Sequence, residues 1–207
     1  MVILLTGTIN TNSCINVQRT NINDRTNDYY QNIKSLLDKT DVDIVFVENS
    51  NHDLGIISEF LNNNRIEILQ FDGNNFDRNL GKGFGERNII NYAIENSVKL
   101  KDVDYLIKLT GRYSINLSLF YNTLNDNEFV FYKKDTNLSH LFAFTGFFKM
   151  PKLFWVNELS DIFMSDDPGC YIENAVANKL VMNNSNITYV EDIGLEGISG
   201  THDIKIG

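Results

Sequence analysis

Lys108 and Arg112 flank Thr110-Gly111 in the run Asp104-Tyr-Leu-Ile-Lys-Leu-Thr-Gly-Arg-Tyr113. Tyr105 to Leu109 is a short apolar run, broken only by Lys108, and reads as a buried strand. In an open α/β sheet, ligands bind beyond the carboxyl ends of the strands. The two cations therefore bracket a place where an anionic ligand would be held. Two solvated cations around a strand-turn are the plainer reading of the same residues.

A second candidate is Gly81-Lys-Gly-Phe-Gly-Glu86, immediately before a helical pattern. Glycines let backbone N–H groups approach a phosphate, and a helix N-terminus favours anions. Lys82 adds a point charge, and Gly83 lies at the middle of the expected approach loop. The segment is neither a dinucleotide fingerprint, which follows a strand directly, nor a P-loop. A glycine turn before a helix is the competing reading. Glu86 falls in the first helical turn, as a dipole-favoured acid or as a hydrogen-bonding group for a ligand hydroxyl or base. Glu173 opens a later helix and is a candidate general base toward a hydroxyl, or again a dipole-placed acid.

The acidic pairs Asp41-Val-Asp43 and Asp102-Val-Asp104 precede their strands. Acids that hold a metal-diphosphate belong at the carboxyl end, so these pairs read as solvated strand entrances. Asp166-Asp167 before Pro168-Gly169 reads as a turn. His52, His140 and His202 show no metal-ligand spacing. His202 stands out for its Gly-Ser-Gly-Thr context, which suits a phosphate-touching tail as well as a solvated terminus. No metal ligand set is expected.

The elements that must position these residues follow from periodicity. Val2 to Thr6 ends at Gly7 and reads as the first strand. A polar stretch, roughly 10 to 27, reads as a long loop. A helix follows on Tyr29, Tyr30, Ile33, Leu36 and Leu37, capped by Asn27 or Asp28. Asp43 to Glu48 is the second strand, 54 to 61 a helix, and Ile66 to Phe71 the third strand. The loop from Asp72 to Gly85 leads into a helix carrying Ile89, Ile90, Ala93 and Ile94. With the strand at 105–109 the first half is β-α-β-α-β-α-β, which implies a mainly parallel sheet flanked by helices. The second half is less regular. Helices are expected over 117–124, 153–163 and 172–181, and strands over 129–132, 141–149 and 187–190. A break is expected at Met150-Pro151, and the glycine-rich tail from Gly194 should be irregular.

A chain of 207 residues with 43% apolar content and two prolines can bury a sizeable core and reads as one domain. The net charge of −9 opposes nucleic acid and anionic membranes. Cys14 and Cys170 make no disulfide framework and are expected as free thiols. With no signal sequence and no run long enough for a membrane span, the protein is expected in the cytoplasm.

Together, Ile107-Lys-Leu-Thr-Gly-Arg-Tyr113 and Gly81 to Glu86 resemble motifs of small GT-A-like glycosyltransferases of bacterial and viral surface-glycan assembly. Leu4-Leu-Thr-Gly-Thr-Ile9, Phe46-Val-Glu-Asn-Ser50 and Gly197-Ile-Ser-Gly-Thr201 fit the same family, so the resemblance spans nearly the whole chain. It implies a Rossmann-like, single-domain fold. Residues 1–113 would form a nucleotide-sugar-binding half and 114–207 an acceptor-side half for a glycan or lipid-linked glycan. Thr6, Gly7 and Thr8 would meet the nucleotide, Asn49 the base, and Gly81 to Glu86 the donor. Relatives usually carry metal-binding acids at the end of the fourth strand, where this chain has Thr110-Gly111-Arg112. A metal-independent enzyme is therefore expected. Glycosyl transfer builds negative charge on the leaving diphosphate, and Arg112, Lys108 and Lys82 are cations available to meet it. A non-catalytic nucleotide- or glycan-binding relative stays open. So does a Rossmann-like methyltransferase, weakened because no strand directly precedes the glycines.

Overall fold

The computed structural model describes residues 1–11, 17–133, 143–165, 167, 170–191, 193–199 and 205–206, with only the backbone of 120, 198, 205 and 206. Its main sheet has seven strands in the order β3-β2-β1-β4-β7-β6-β8. These are β1 (Val2–Gly7), β2 (Asp43–Glu48), β3 (Ile66–Gln70), β4 (Tyr105–Thr110), β6 (Phe129–Tyr132), β7 (Phe147–Pro151) and β8 (Ile187–Val190). The first four run parallel, with Leu4 opposite both Val45 and Lys108. β7 is antiparallel to β4 and β6, and β8 is parallel to β6. The α/β architecture expected from the alternating first half is the one observed.

Two apolar cores lie on the two faces. Helix α1 (Ile22–Lys39) covers one, packing Tyr29, Ile33 and Leu36 against Ile3, Leu5, Phe46 and Leu109. Helices α2 (Gly81–Asn96) and α5 (Ile172–Met182) cover the other, with Ile89, Ile90, Val176 and Leu180 against Leu4, Val45, Leu106 and Phe148. Strand alternation sends odd β1 residues to the first core and even ones to the second. On β4 the same alternation sends Lys108 toward α2 and α5.

Several boundaries differ from the periodicity. α1 starts at Ile22, with Asn21 as N-cap accepting from Asp24 N at 3.1 Å. Its polar first turns read as loop, yet Arg25, Thr26 and Asn32 are buried against the rim of the sheet. The segment expected as a helix over 54–61 is a 3₁₀ turn, Gly55–Phe60. The expected helix over 153–163 is a single turn, α4 (Lys152–Phe154), running into a π turn at Trp155–Leu159. That turn is tied to α2, where Asn91 accepts from Trp155 Nε1 at 2.8 Å and donates to Ser160 O at 2.7 Å. Helix α3 (Leu117–Asp126) lies near its expected place. Of the strand expected over 141–149, residues 147–149 are found, extended to Pro151, and the break falls after that proline rather than at it; 141 and 142 lie outside the described residues. The tail is not wholly irregular. β9 (Glu196–Ile198) pairs antiparallel with β5 (Tyr113–Ser114) and with β10 (Lys205–Ile206) in a second small sheet. Among the described residues, no helix is long and apolar enough to cross a membrane.

Candidate functional site

The strand order locates the crevice. The β1–β2 connection leaves β1 on one side, and β4 arrives on the other, so the parallel strands reverse direction of winding between β1 and β4. Ligands of open α/β sheets bind outside the carboxyl ends at such a switch point. Here those ends are Thr6-Gly7-Thr8 and Thr110-Gly111-Arg112, which the structure brings together. Gly111 N donates to Thr6 O at 2.8 Å. A Cβ on Gly111 would lie 2.9 Å from that same oxygen, so only glycine lets the two strand ends approach this closely.

α1 builds the floor of the crevice with Arg25, Tyr29 and Asn32, spaced to fall on one helix face. Tyr29 OH accepts from Thr8 N at 2.9 Å and donates to Thr8 O at 3.1 Å. Arg25 donates from Nε to Thr8 O at 2.7 Å and from Nη2 to Tyr29 OH at 3.0 Å. Asn32 donates to Gly111 O at 2.9 Å. Burial first, and then the charge of nearby Arg112, push the Arg25 guanidinium below its usual range, against the pull of Tyr29. Arg25 thus ties α1 to the end of β1, in a chain whose net charge is negative.

Glu48, at the end of β2, has no exposed surface. It accepts from Ile9 N and Ser50 N, both at 2.9 Å, from Ser50 Oγ, and at longer range from His52 N (3.3 Å) and Gln70 Nε2 (3.4 Å). Among the described residues no cation pairs with it. The carboxylate is held by N–H and O–H donors, and so fixes the loops after β1 and β2 against each other. Asn49 beside it is 1% exposed and accepts from Thr8 Oγ1 at 2.6 Å. Asn74 donates to Asn10 O at 2.9 Å and is itself held by Arg78. None of Glu48, Arg25, Tyr29 and Asn74 was read from the sequence as a site residue, although Tyr29 falls on the expected helix face and Glu48 within Phe46-Val-Glu-Asn-Ser50. The i, i+4, i+7 spacing of 25, 29 and 32 was a usable signal. For Glu48 the signal was its place in Phe46-Val-Glu-Asn-Ser50.

On the other wall, Lys108 is corrected from a ligand cation to an enclosed one. It has no exposed surface, and its Nζ donates to Glu86 Oε1, to Thr110 Oγ1 at 3.1 Å and to Thr145 O at 2.6 Å. Three ammonium donors meet three acceptors, which leaves none for a ligand. Glu86, its side chain 22% exposed, reaches from α2 toward the crevice. Its other oxygen accepts from Thr145 Oγ1 at 3.1 Å, and Glu173 on α5 stands 3.2 Å from the same hydroxyl.

The glycine run is also corrected. Gly81 to Gly85 are the first turns of α2, not a loop before it, and Gly81 alone has a positive φ, 74°. A Cβ on Gly83 would fall 2.7 Å from Ile172 Cβ, so this glycine admits helix α5. The motif that suggested a methyltransferase is therefore helical. Lys82 sits in this turn, half-buried. The returning tail places Gly197 against Arg112 O and Tyr113. His202, His140 and Cys14 lie outside the described residues; Cys170 is a free thiol. Asp43 is at the entrance of β2, paired with Lys99 at 3.1 Å. Among the described residues no group of three or more His, Cys, Asp or Glu is placed to hold a metal ion, and Thr110-Gly111-Arg112 does not offer the donors a divalent cation takes.

No family model matches this sequence, and no curated protein does. Solved structures match its fold. S. aureus TarS, residues 1–349, superposes with a TM-score of 0.56 at 13% identity over 93% of this chain and 58% of that one. TarS in complex with UDP gives 0.51 at 13% identity. The mannosyltransferase Ktr4p from S. cerevisiae gives 0.52 at 13% identity, covering 93% of this chain and 69% of that one. A 4-diphosphocytidyl-2C-methyl-D-erythritol synthase from Anaerococcus prevotii DSM 20548 gives 0.50 at 12% identity, covering 99% and 90%. The chain spans just over half the length of the TarS fragment it matches. At this level of identity the likeness establishes the fold: a GT-A-like, mainly parallel seven-stranded sheet of the kind found in nucleotide-sugar transferases.

Proposed function

We propose that this protein is a glycosyltransferase that moves a sugar from a nucleoside-diphosphate donor to a glycan or lipid-linked glycan, without a divalent metal. The observation that carries the reading is the crevice at the β1–β4 switch point, where Gly111 N on Thr6 O joins the two strand ends and Arg112 follows directly after β4. Thr6 to Thr8 and Asn49 would meet the nucleotide. The first turn of α2, with Gly81, Lys82 and the Glu86 carboxylate, would border the sugar. Arg112 would stabilise the charge growing on the leaving diphosphate, with planar paired donors suited to phosphate oxygens. Lys108 would act only through Glu86. Glu173, on α5 beside Glu86, would take the acceptor's proton. The acceptor would approach from the 114–207 side. The reaction would take place in the cytoplasm, a reading that the low cysteine content supports.

The reading is tested by thermal shift with UDP, GDP and their sugar conjugates, with S-adenosylmethionine as the contrasting ligand. A ligand that binds only the native state raises the melting temperature by an amount set by its concentration over Kd. Stabilisation by one nucleotide series, unchanged by chelator, is expected. Stabilisation by S-adenosylmethionine alone would overturn the proposal.

A further inference from the structure

One hydroxyl stands between two carboxyl groups in the crevice wall. Thr145 Oγ1 lies 3.1 Å from Glu86 Oε2 and 3.2 Å from Glu173 Oε1. A hydroxyl owns one proton and can donate to only one of them. The second contact is attractive only if that carboxyl group brings a proton of its own. Lys108 decides which group it is. Its ammonium faces Glu86 Oε1, and among the described residues Glu173 has no cation at salt-bridge distance. Glu86 is therefore the ionised member, accepting from both Lys108 and Thr145.

We propose that Glu86 and Glu173 hold a single proton between them across Thr145, and that Lys108 keeps that proton on Glu173. Glu86, Thr145 and Lys108 are then positioning residues for Glu173. The groups facing Glu173 are Glu86 from α2, Lys108 from β4, Thr145 ahead of β7 and Tyr113 from β5. Burial, followed by the charge of Glu86, pushes the Glu173 carboxyl above the usual carboxylate range, which agrees with the geometry. The consequence for catalysis rests on the glycosyltransferase reading. Glu173 becomes a base only after losing this proton to solvent. It then takes the acceptor hydroxyl's proton as that oxygen bonds to the anomeric carbon. The sugar–phosphate C–O bond breaks, and its electron pair leaves with the nucleoside diphosphate. Transfer should rise with pH through a value above that of an ordinary glutamate.

The proton itself is read by infrared spectroscopy of the ¹³C-glutamate-labelled protein, with no nucleotide or acceptor present. At neutral pH the wild type is expected to show the C=O stretch of one protonated glutamic acid. Glu173→Gln should abolish it. Glu86→Gln, which removes the like charge, should shift its loss to lower pH by about one unit. The proposal is overturned if the wild type shows no such band, if the band survives in Glu173→Gln, or if Glu86→Gln holds the proton to higher pH. The measurement needs no activity, so its failure and that of the glycosyltransferase reading are separate results.

Discussion

Replacing Glu48 with Gln removes a charge while keeping the side chain's shape. The Glu48 carboxylate accepts three close hydrogen bonds, from Ile9 N, Ser50 N and Ser50 Oγ, all on one oxygen. A hydrogen bond to a charged acceptor contributes about 1 kcal/mol more than one to a neutral acceptor, so three such bonds lose about 3 kcal/mol. The new amide must also point its NH₂ at His52 N and Gln70 Nε2, which are both donors. Against this, a neutral amide escapes part of the desolvation cost of a buried carboxylate. The net expectation is a loss of about 2 kcal/mol, or roughly 4–8 °C in melting temperature for a chain of this size. The same change frees the loops after β1 and β2, so nucleotide affinity should fall about tenfold as ordering shifts to the binding step. The control is Glu67→Gln. Glu67 also accepts three bonds, from Ser97 Oγ at 2.6 Å, Val98 N at 2.9 Å and Lys99 N at 3.0 Å, but at the opposite end of the sheet. Urea denaturation and nucleotide titration of both variants decide the matter. Both should lose stability and only Glu48→Gln should lose affinity. Equal nucleotide affinity in the two variants would refute the assignment of Glu48 to the crevice.

Three further outcomes are expected. Gly83→Ala should destabilise by about 1–2 kcal/mol in urea denaturation, since overpacking against Ile172 outweighs the gain in helix propensity of about 1 kcal/mol, and Gly83→Val should lose more; an Ala variant as stable as wild type would show that α2 and α5 separate freely. Arg112→Lys should be impaired in sugar transfer nearly as much as Arg112→Ala, by about 10²–10³ in turnover, and wild-type transfer should survive chelator; wild-type turnover by Arg112→Ala, or activity that chelator abolishes and Mg²⁺ or Mn²⁺ restores, contradicts this. Burial pushes Glu67 upward, but Ser97, Lys99 and Val98 outweigh it and hold its carboxyl below the usual range. Its contribution to stability is therefore present above the ordinary glutamate value and lost as pH falls through the lowered one; Glu67→Gln should flatten the acid limb of a stability–pH curve, and an unchanged limb would remove Glu67 from that role.

Much of the architecture was legible in the residues alone. Alternating apolar strands and helical patterns in the first half specify a parallel sheet with helices on both faces, because each element must bury one side. Thr110-Gly111-Arg112 could be read as the rim of a ligand crevice, because ligands of such sheets gather where the strands end. The roles within that rim were decided by tertiary structure. Lys108 and Arg112 look alike in sequence, yet strand alternation turns Lys108 inward to Glu86 and Thr145, while Arg112 lies past the last pair of β4. Gly81 to Gly85 has the composition of a phosphate loop, but α5 packs on it, and Gly83 is the price of that contact. The start of α1 was missed because Arg25 and Thr26 are polar residues buried at the polar rim of a sheet, where periodicity of apolar residues carries no signal. The role of Glu48 was hidden for a related reason. Besides the nearby Ser50 and His52, its partners Ile9 and Gln70 come from segments that only the folded sheet brings side by side, and their separation in sequence holds no trace of the hydrogen bonds that join them.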